Sequence, residues 1–272
     1  MYENYWELTC QPFAERNGLD LYFPAESHQG ALLKLRYAIQ QGAGGTALVG
    51  PPGVGKSLLI ELLKAHLEAD NQPVAQVSFP LLPAADLLAY LAEELSGTRF
   101  LQTPGPRASL RRIEDAVGRY AALRQRPLLI FDEAQLLHDA ELLDMLPLLL
   151  NLLPGASGYP VALLFVGEGQ LLRTISRNAT LNSRVSVRCQ LRALTQSETE
   201  QYVGQRLQAA GCPRQIFTRA AWPILWQLSG GIPRRINRLC DLALLIGYAE
   251  SHDQITPELL DNVQAELLPL AA

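Results

Sequence analysis

Residues Gly50 to Ser57 read GPPGVGKS, fitting G-x-x-x-x-G-K-[S/T]. They follow the apolar run Thr46–Val49 and precede the helix-like LLIELL of 58–63. Glycines let backbone N–H groups turn onto phosphate oxygens, and a helix that starts there points its positive end at them. The expected cradle is Gly50, Pro51, Pro52, Gly53, Val54, Gly55, Lys56, Ser57 and Leu58. Lys56 reaches the β- and γ-phosphates, and the Ser57 hydroxyl ligates Mg²⁺.

A second constellation is PLLIFDEAQ, an apolar run ending in Asp132-Glu133. Placed at the carboxyl end of a strand, where α/β sheets bind ligands, Asp132 holds the metal and Glu133 polarises an attacking water. A small-molecule kinase has less need of that glutamate, because its acceptor replaces water. Arginines supply the rest. Arg184 immediately precedes the strand-like VSVRCQL and is poised to reach a neighbouring subunit's γ-phosphate in trans, with Arg173 and Arg177 as alternatives. In GGIPRRINRLC, Arg234 and Arg235 open a helix, a position unfavourable for cations unless an anion offsets them. Of the two, Arg234 is the expected phosphate contact.

The elements that must position these groups follow from periodicity. Strand-length apolar runs at 46–50, 73–79, 127–133, 160–167 and 185–191 alternate with helical segments, which implies a parallel sheet covered by helices. Beyond Leu191 the pattern is wholly helical. Thr195 to Glu198 forms a capping box that opens a helix to about Ala210, ended by Gly211-Cys212-Pro213. Helices are expected at about 218–229, 232–249 and 256–267. The organisation is therefore an N-terminal segment 1–24, an α/β core 25–191 and a helical lid domain 192–272, with a loop-like interruption from Gly97 to Pro106.

Composition narrows the class. The 272 residues are 48% hydrophobic and 18% charged, with a net charge of −4, as befits a compact soluble protein rather than a strongly basic nucleic-acid binder. Cys10, Cys189, Cys212 and Cys240 are scattered without metal-ligand spacing and read as reduced thiols. MYENYWELTC lacks the basic and apolar regions of a secretory signal, and the leucine-rich stretch 142–153 is interrupted and short for a membrane span. A cytoplasmic location is expected, with peripheral attachment to the inner membrane through a partner as a variant.

GPPGVGKS, LLIFDEAQ, the arginine before the fifth strand and GIPRRI resemble the Walker A, Walker B, arginine finger and sensor 2 of AAA+ ATPases. More narrowly, MYENYWELTCQPF, YFPAESHQGALLKLRYAI, FDEAQLL and SGGIPRRINRLCDLALLIGYA resemble the bacterial general secretion pathway protein A (ExeA-like) family, essentially end to end. The resemblance implies a P-loop NTPase fold with a five-stranded parallel sheet and an all-α lid. It further implies ATP and Mg²⁺ as ligands, a homo-oligomer (ring, arc or filament, a hexamer included), and partners in secretion, pilus or envelope assembly. It places Pro12-Phe13 and Tyr22-Phe23 near the adenine, where the residues alone indicate hydrophobic packing. It makes Ser27 the cap of the following helix, with His28 beside it.

Two departures stand out. Glu168 occupies the position where the family carries a polar amide as sensor 1, and a carboxylate there repels a γ-phosphate unless protonated, paired or turned away. Secretion members also continue into a membrane helix and a peptidoglycan-binding region, so that part of their function is not carried over. Two further readings remain open: a DNA-binding transposition regulator of the TniB/TnsC type, using Arg107, Arg111 and Arg112 or Arg234, Arg235 and Arg238, and a slowly hydrolysing assembly switch.

Overall fold

The computed structural model describes residues 1–14, 19–78, 81–137, 140–152, 160–212 and 214–267. Phe79 of the second strand-like run, Leu153 of the leucine-rich stretch, Pro213 of the helix stop and residues 268–272 of the expected lid lie outside them. Five strands, β1 (Gly45–Val49), β2 (Val74–Val77), β3 (Leu128–Phe131), β4 (Ala162–Gly167) and β5 (Val185–Gln190), form one parallel sheet in the order β2-β3-β4-β1-β5. Eleven α-helices are described: α1 (Glu26–Gln40), α2 (Lys56–Ala69), α3 (Ala84–Ser96), α4 (Pro106–Ala122), α5 (Ala140–Met145), α6 (Gln170–Arg177), α7 (Ala179–Arg184), α8 (Gln196–Ala209), α9 (Ala221–Ser229), α10 (Pro233–Ala249) and α11 (Pro257–Leu267). The chain divides into two compact units, one of residues 27–51 and 59–191, the other of 1–26, 52–58 and 192–272.

In the sheet unit each central strand is apolar on both faces, which is what helices on both sides require. Ala47, Val49, Ala75, Val77, Leu129, Phe131, Leu163 and Phe165 alternate along β1 to β4 and enter a core shared with Leu87, Leu91, Ile113 and Val117 of α3 and α4. Phe131 and Phe165 stack with ring centroids 5.5 Å apart. The intervening Leu48, Ile130, Leu164 and Val166 are equally buried on the opposite face. At the amino edge of the sheet the Arg126 guanidinium donates to the carbonyls of Ile39, Ala43 and Val161, tying the end of α1 and the turn after it to the start of β4. Burial lowers its pKa to about 10.

The helical unit begins with the capping box read from sequence. Thr195 Oγ1 accepts from Glu198 N–H, and Glu198 Oε2 accepts from Thr195 N–H. Residues 1–13 belong to this core. Trp6 is fully buried and its Nε1–H donates to Leu244 O at 2.9 Å, Tyr2 donates to Asp241, and Thr9 N–H donates to Ala210 O. Phe13 is buried with them, Pro12 O accepts from Arg206, and Phe23 lies edge-on to Tyr202. The helix after this segment starts at Glu26, so Ser27 occupies its first turn rather than its cap; Ser27 Oγ lies 3.3 Å from His28 Nδ1.

Candidate functional site

Because all five strands are parallel, the segments leaving β1, β3 and β4 emerge at one edge of the sheet, and β4 lies between the other two. Topology alone therefore gathers Gly50, Asp132-Glu133 and Glu168 at the carboxyl edge. Gly50 N–H donates to Gly167 O at 3.2 Å, and Asp132 N–H donates to Val77 O at 2.9 Å. Glu133 follows in a left-handed conformation (φ 50°), with its N–H on Asp132 Oδ1 and its carbonyl closing a 3₁₀ turn over Ala134–Leu136. A non-glycine residue held there is strained by about 1–2 kcal/mol. The turn carries the Glu133 side chain to an exposed position while Asp132 stays half-buried.

The loop after β1 bends through Gly53 (φ 74°) and Gly55 (φ 109°), and α2 starts at Lys56. These turns suit a phosphate cradle, since left-handed residues rotate successive N–H groups inward ahead of a helix amino end. Val54 is fully buried and anchors the loop, Lys56 is buried, and Ser57 is exposed. The start of α10 packs on this loop: Arg234 N–H donates to Gly53 O at 3.2 Å, and a Cβ at Gly53 would meet Arg234 Cβ at 2.8 Å and Ile232 Cγ2 at 3.3 Å. Of the paired arginines, then, Arg234 lies against the loop. Arg234, Arg235 and Arg238 are all exposed.

Ser57 in one unit and Asp132 in the other each carry a hard oxygen donor of the kind Mg²⁺ takes, an ion that binds few protein ligands and fills its sphere with phosphate and water. Among the described residues no cluster of three or more His, Cys, Asp or Glu could hold a metal without such help. Arg184 ends α7 and stands at the opposite, amino edge of the sheet, next to Val185, which pairs with Gly45. The loop leaves β1 five residues further on, about 17 Å at ~3.3 Å per residue. Arg173 and Arg177 are exposed on α6.

One residue escapes the sequence reading. Gln135 is buried at 6% exposure, its Nε2 donates to Glu133 and its Oε1 accepts from Glu168 N–H at 3.1 Å. Only its position two residues past the carboxylate hinted at it, and its partner, the residue that follows β4, is 33 residues away.

The AAA domain family matches residues 39–175, from the end of α1 through most of α6. The chain belongs to the AAA domain family. General secretion pathway protein A of Aeromonas hydrophila is 31% identical to this AAA protein over 257 residues, which cover 94% of the chain and 46% of the relative. The chain thus spans about half the length of that relative. Among solved structures, Cdc6p of Pyrobaculum aerophilum superposes with a TM-score of 0.72 at 14% identity, covering 94% of this chain and 70% of that one. The Aeropyrum pernix ORC2 protein, in ADPNP-ADP complexes, gives 0.63 at 18% identity, covering 94% and 71%. The RuvB Holliday junction branch migration motor of Thermotoga maritima gives 0.62 at 20% identity, covering 94% and 73%. At these identities the three structures speak for the fold. No helix among the described residues is long and apolar enough to cross a membrane.

Proposed function

We propose that this AAA protein binds and hydrolyses ATP at sites completed by a neighbouring copy in a homo-oligomer, and uses the cycle to assemble or regulate a bacterial secretion, pilus or envelope machine. The observation that carries the reading is the shared carboxyl edge of β1 and β3. A glycine-rich loop leaves one strand, and an Asp-Glu pair, its glutamate presented by a strained turn, leaves the other. The loop N–H groups and the Lys56 ammonium neutralise the phosphates of ATP. Mg²⁺, when bound, supplies charge neutralisation of the β- and γ-phosphates, with Ser57 Oγ and the Asp132 carboxylate as its protein ligands. The Glu133 carboxylate accepts a hydrogen bond from water, orients it for in-line attack and takes its proton as the bond to the γ-phosphorus forms and the bond from that phosphorus to the β–γ bridging oxygen breaks, releasing ADP and phosphate. Arg234, whose backbone is fixed to the loop, adds positive charge over the phosphates.

Arg184 is assigned to the neighbour's site because it stands at the edge opposite the loop of its own chain. In trans it stabilises the charge that spreads over the transferred phosphoryl group. Similarity to general secretion pathway protein A supports the secretion branch of the reading, the chain covering 46% of that protein. The test is ATPase rate per subunit across a dilution series, together with mixing of inactive Lys56→Ala and Arg184→Ala subunits. Activity that rises with concentration and returns on mixing is expected; a monomer with concentration-independent activity overturns the trans arrangement.

One observation favours DNA as an additional partner. Arg107 and Arg111 lie four residues apart on α4, exposed with Arg112. Arg112 sits 4.3 Å over the Phe100 ring, and Asp115 is exposed one turn on, which dilutes the basic strip.

A further inference from the structure

The phosphate loop and the Glu133 carboxylate are joined by an uninterrupted chain of hydrogen bonds inside the sheet unit. Gly50 N–H, at the first residue of the loop, donates to Gly167 O at 3.2 Å. That carbonyl belongs to the same peptide group as the Glu168 N–H, which donates to Gln135 Oε1 at 3.1 Å. Gln135 Nε2 then donates to Glu133 Oε2. A side-chain amide has one accepting and one donating end. With the oxygen held by the Glu168 N–H, the NH₂ must face the carboxylate, and a flipped amide would set donor against donor at Glu168 and acceptor against acceptor at Glu133.

The surroundings are shaped for this crossbar. Gly167 makes room for it, since a Cβ there would lie 2.3 Å from Gln135 Oε1 and 3.3 Å from Gln135 N. Gln135 is one of few buried polar side chains, and both ends of its amide are satisfied. An exposed glutamate would otherwise sample several rotamers, whereas this one is tethered. Polarisation also runs along such a chain, each bond strengthening the next.

We infer that Gln135 is a positioning residue for hydrolysis, holding the Glu133 carboxylate in register with the phosphate loop through the Gly167–Glu168 peptide. This rests on the proposal that Glu133 orients the attacking water. A shift of the peptide at the start of the loop reaches the carboxylate through one side chain, so loop position and water activation are set together.

The test uses the full chain and measures steady-state ATP hydrolysis alongside binding of a non-hydrolysable ATP analogue. Gln135→Met removes both amide ends, Gln135→Glu keeps the shape but replaces the donor with an acceptor, and Gly167→Ala crowds the amide from outside. Each is expected to lower kcat by about 10- to 100-fold, as for a misplaced catalytic group, while analogue affinity stays within about 3-fold. Adding Gln135→Met or Gln135→Glu to Glu133→Gln is expected to cost less than about 2-fold more, because the two act as one unit. Should Gln135→Met fail to fold, the near-isosteric Gln135→Glu carries the same comparison. Wild-type kcat in a folded Gln135 variant, or losses that multiply in the double variant, overturns the inference while a dead Glu133→Gln leaves the proposed function standing. Wild-type turnover by Glu133→Gln instead removes the underlying role of Glu133, and the inference with it.

Discussion

Gly53→Ala tests whether the phosphate loop is built against the start of α10. The residue sits at φ 74°, so a side chain of any kind costs about 1–2 kcal/mol in backbone strain. The new methyl would also lie 2.8 Å from Arg234 Cβ, well inside the ~3.5–4.0 Å of a comfortable carbon contact. Arg234 Cβ is fixed to the helix backbone, so relief requires the Ile232–Arg234 turn to move away, loosening the bond from Arg234 N–H to Gly53 O. That bond is worth about 1 kcal/mol. The expected loss is about 2–3 kcal/mol, or roughly 4–12 °C in Tm for a chain of this size. Gly97→Ala is the control: φ is 67° and nothing lies within 4 Å of its Cβ, leaving only the strain. Scanning calorimetry on both variants, repeated with an ATP analogue, should show the larger drop for Gly53→Ala and a smaller ligand-induced gain in its Tm. Equal drops in the two variants would refute the claim that contact with α10 shapes the loop.

Other outcomes follow from the same geometry. Trp6→Ala should destabilise the helical unit by about 3–5 kcal/mol, the usual cost of emptying a fully buried indole site, visible as an early unfolding transition; an unchanged melt would show that residues 1–13 are dispensable to that core. Arg234→Ala should slow ATP turnover at least about 10-fold more than Arg235→Ala, since only Arg234 is fixed to the loop; equal effects would count against the assignment. If α4 contacts DNA, duplex affinity in the presence of ATP should fall steeply with salt, and removing Arg107 and Arg111 should reduce the slope by roughly 2. Absence of binding at low salt would dismiss DNA as a partner.

Much of the sheet was legible because β1 to β5 are short apolar runs bounded by turn residues, and their agreement with a parallel sheet follows from period and length alone. The capping box at Thr195 was equally plain, its signal lying within four residues. What escaped was long-range. Gln135 looks like an ordinary polar residue after an acidic pair until β4 brings the Glu168 N–H to it. The aromatics of the N-terminal segment announced only that they would be buried. That Trp6 packs against α10, with its indole on Leu244 O, depends on contacts across more than 200 residues, which periodicity does not encode. The start of α1 at Glu26 is a smaller case: both Glu26 and Ser27 suit a helix's first turn, and local propensity does not choose between them.

The enclosure of Trp6 by helices from the far end of the chain sets an order of events during synthesis. Residues 1–13 leave the ribosome before α8 to α11, whose residues follow roughly 180–250 positions later, on the order of 10–50 s at ~5–20 residues per second. For that interval the opening segment carries an aromatic side chain with no native surface to cover it, while the sheet unit between can already fold. The helical unit is then completed by the return of residues 1–13, so a product that stops before α8 leaves Tyr2, Trp6 and Phe13 together without the core that buries them.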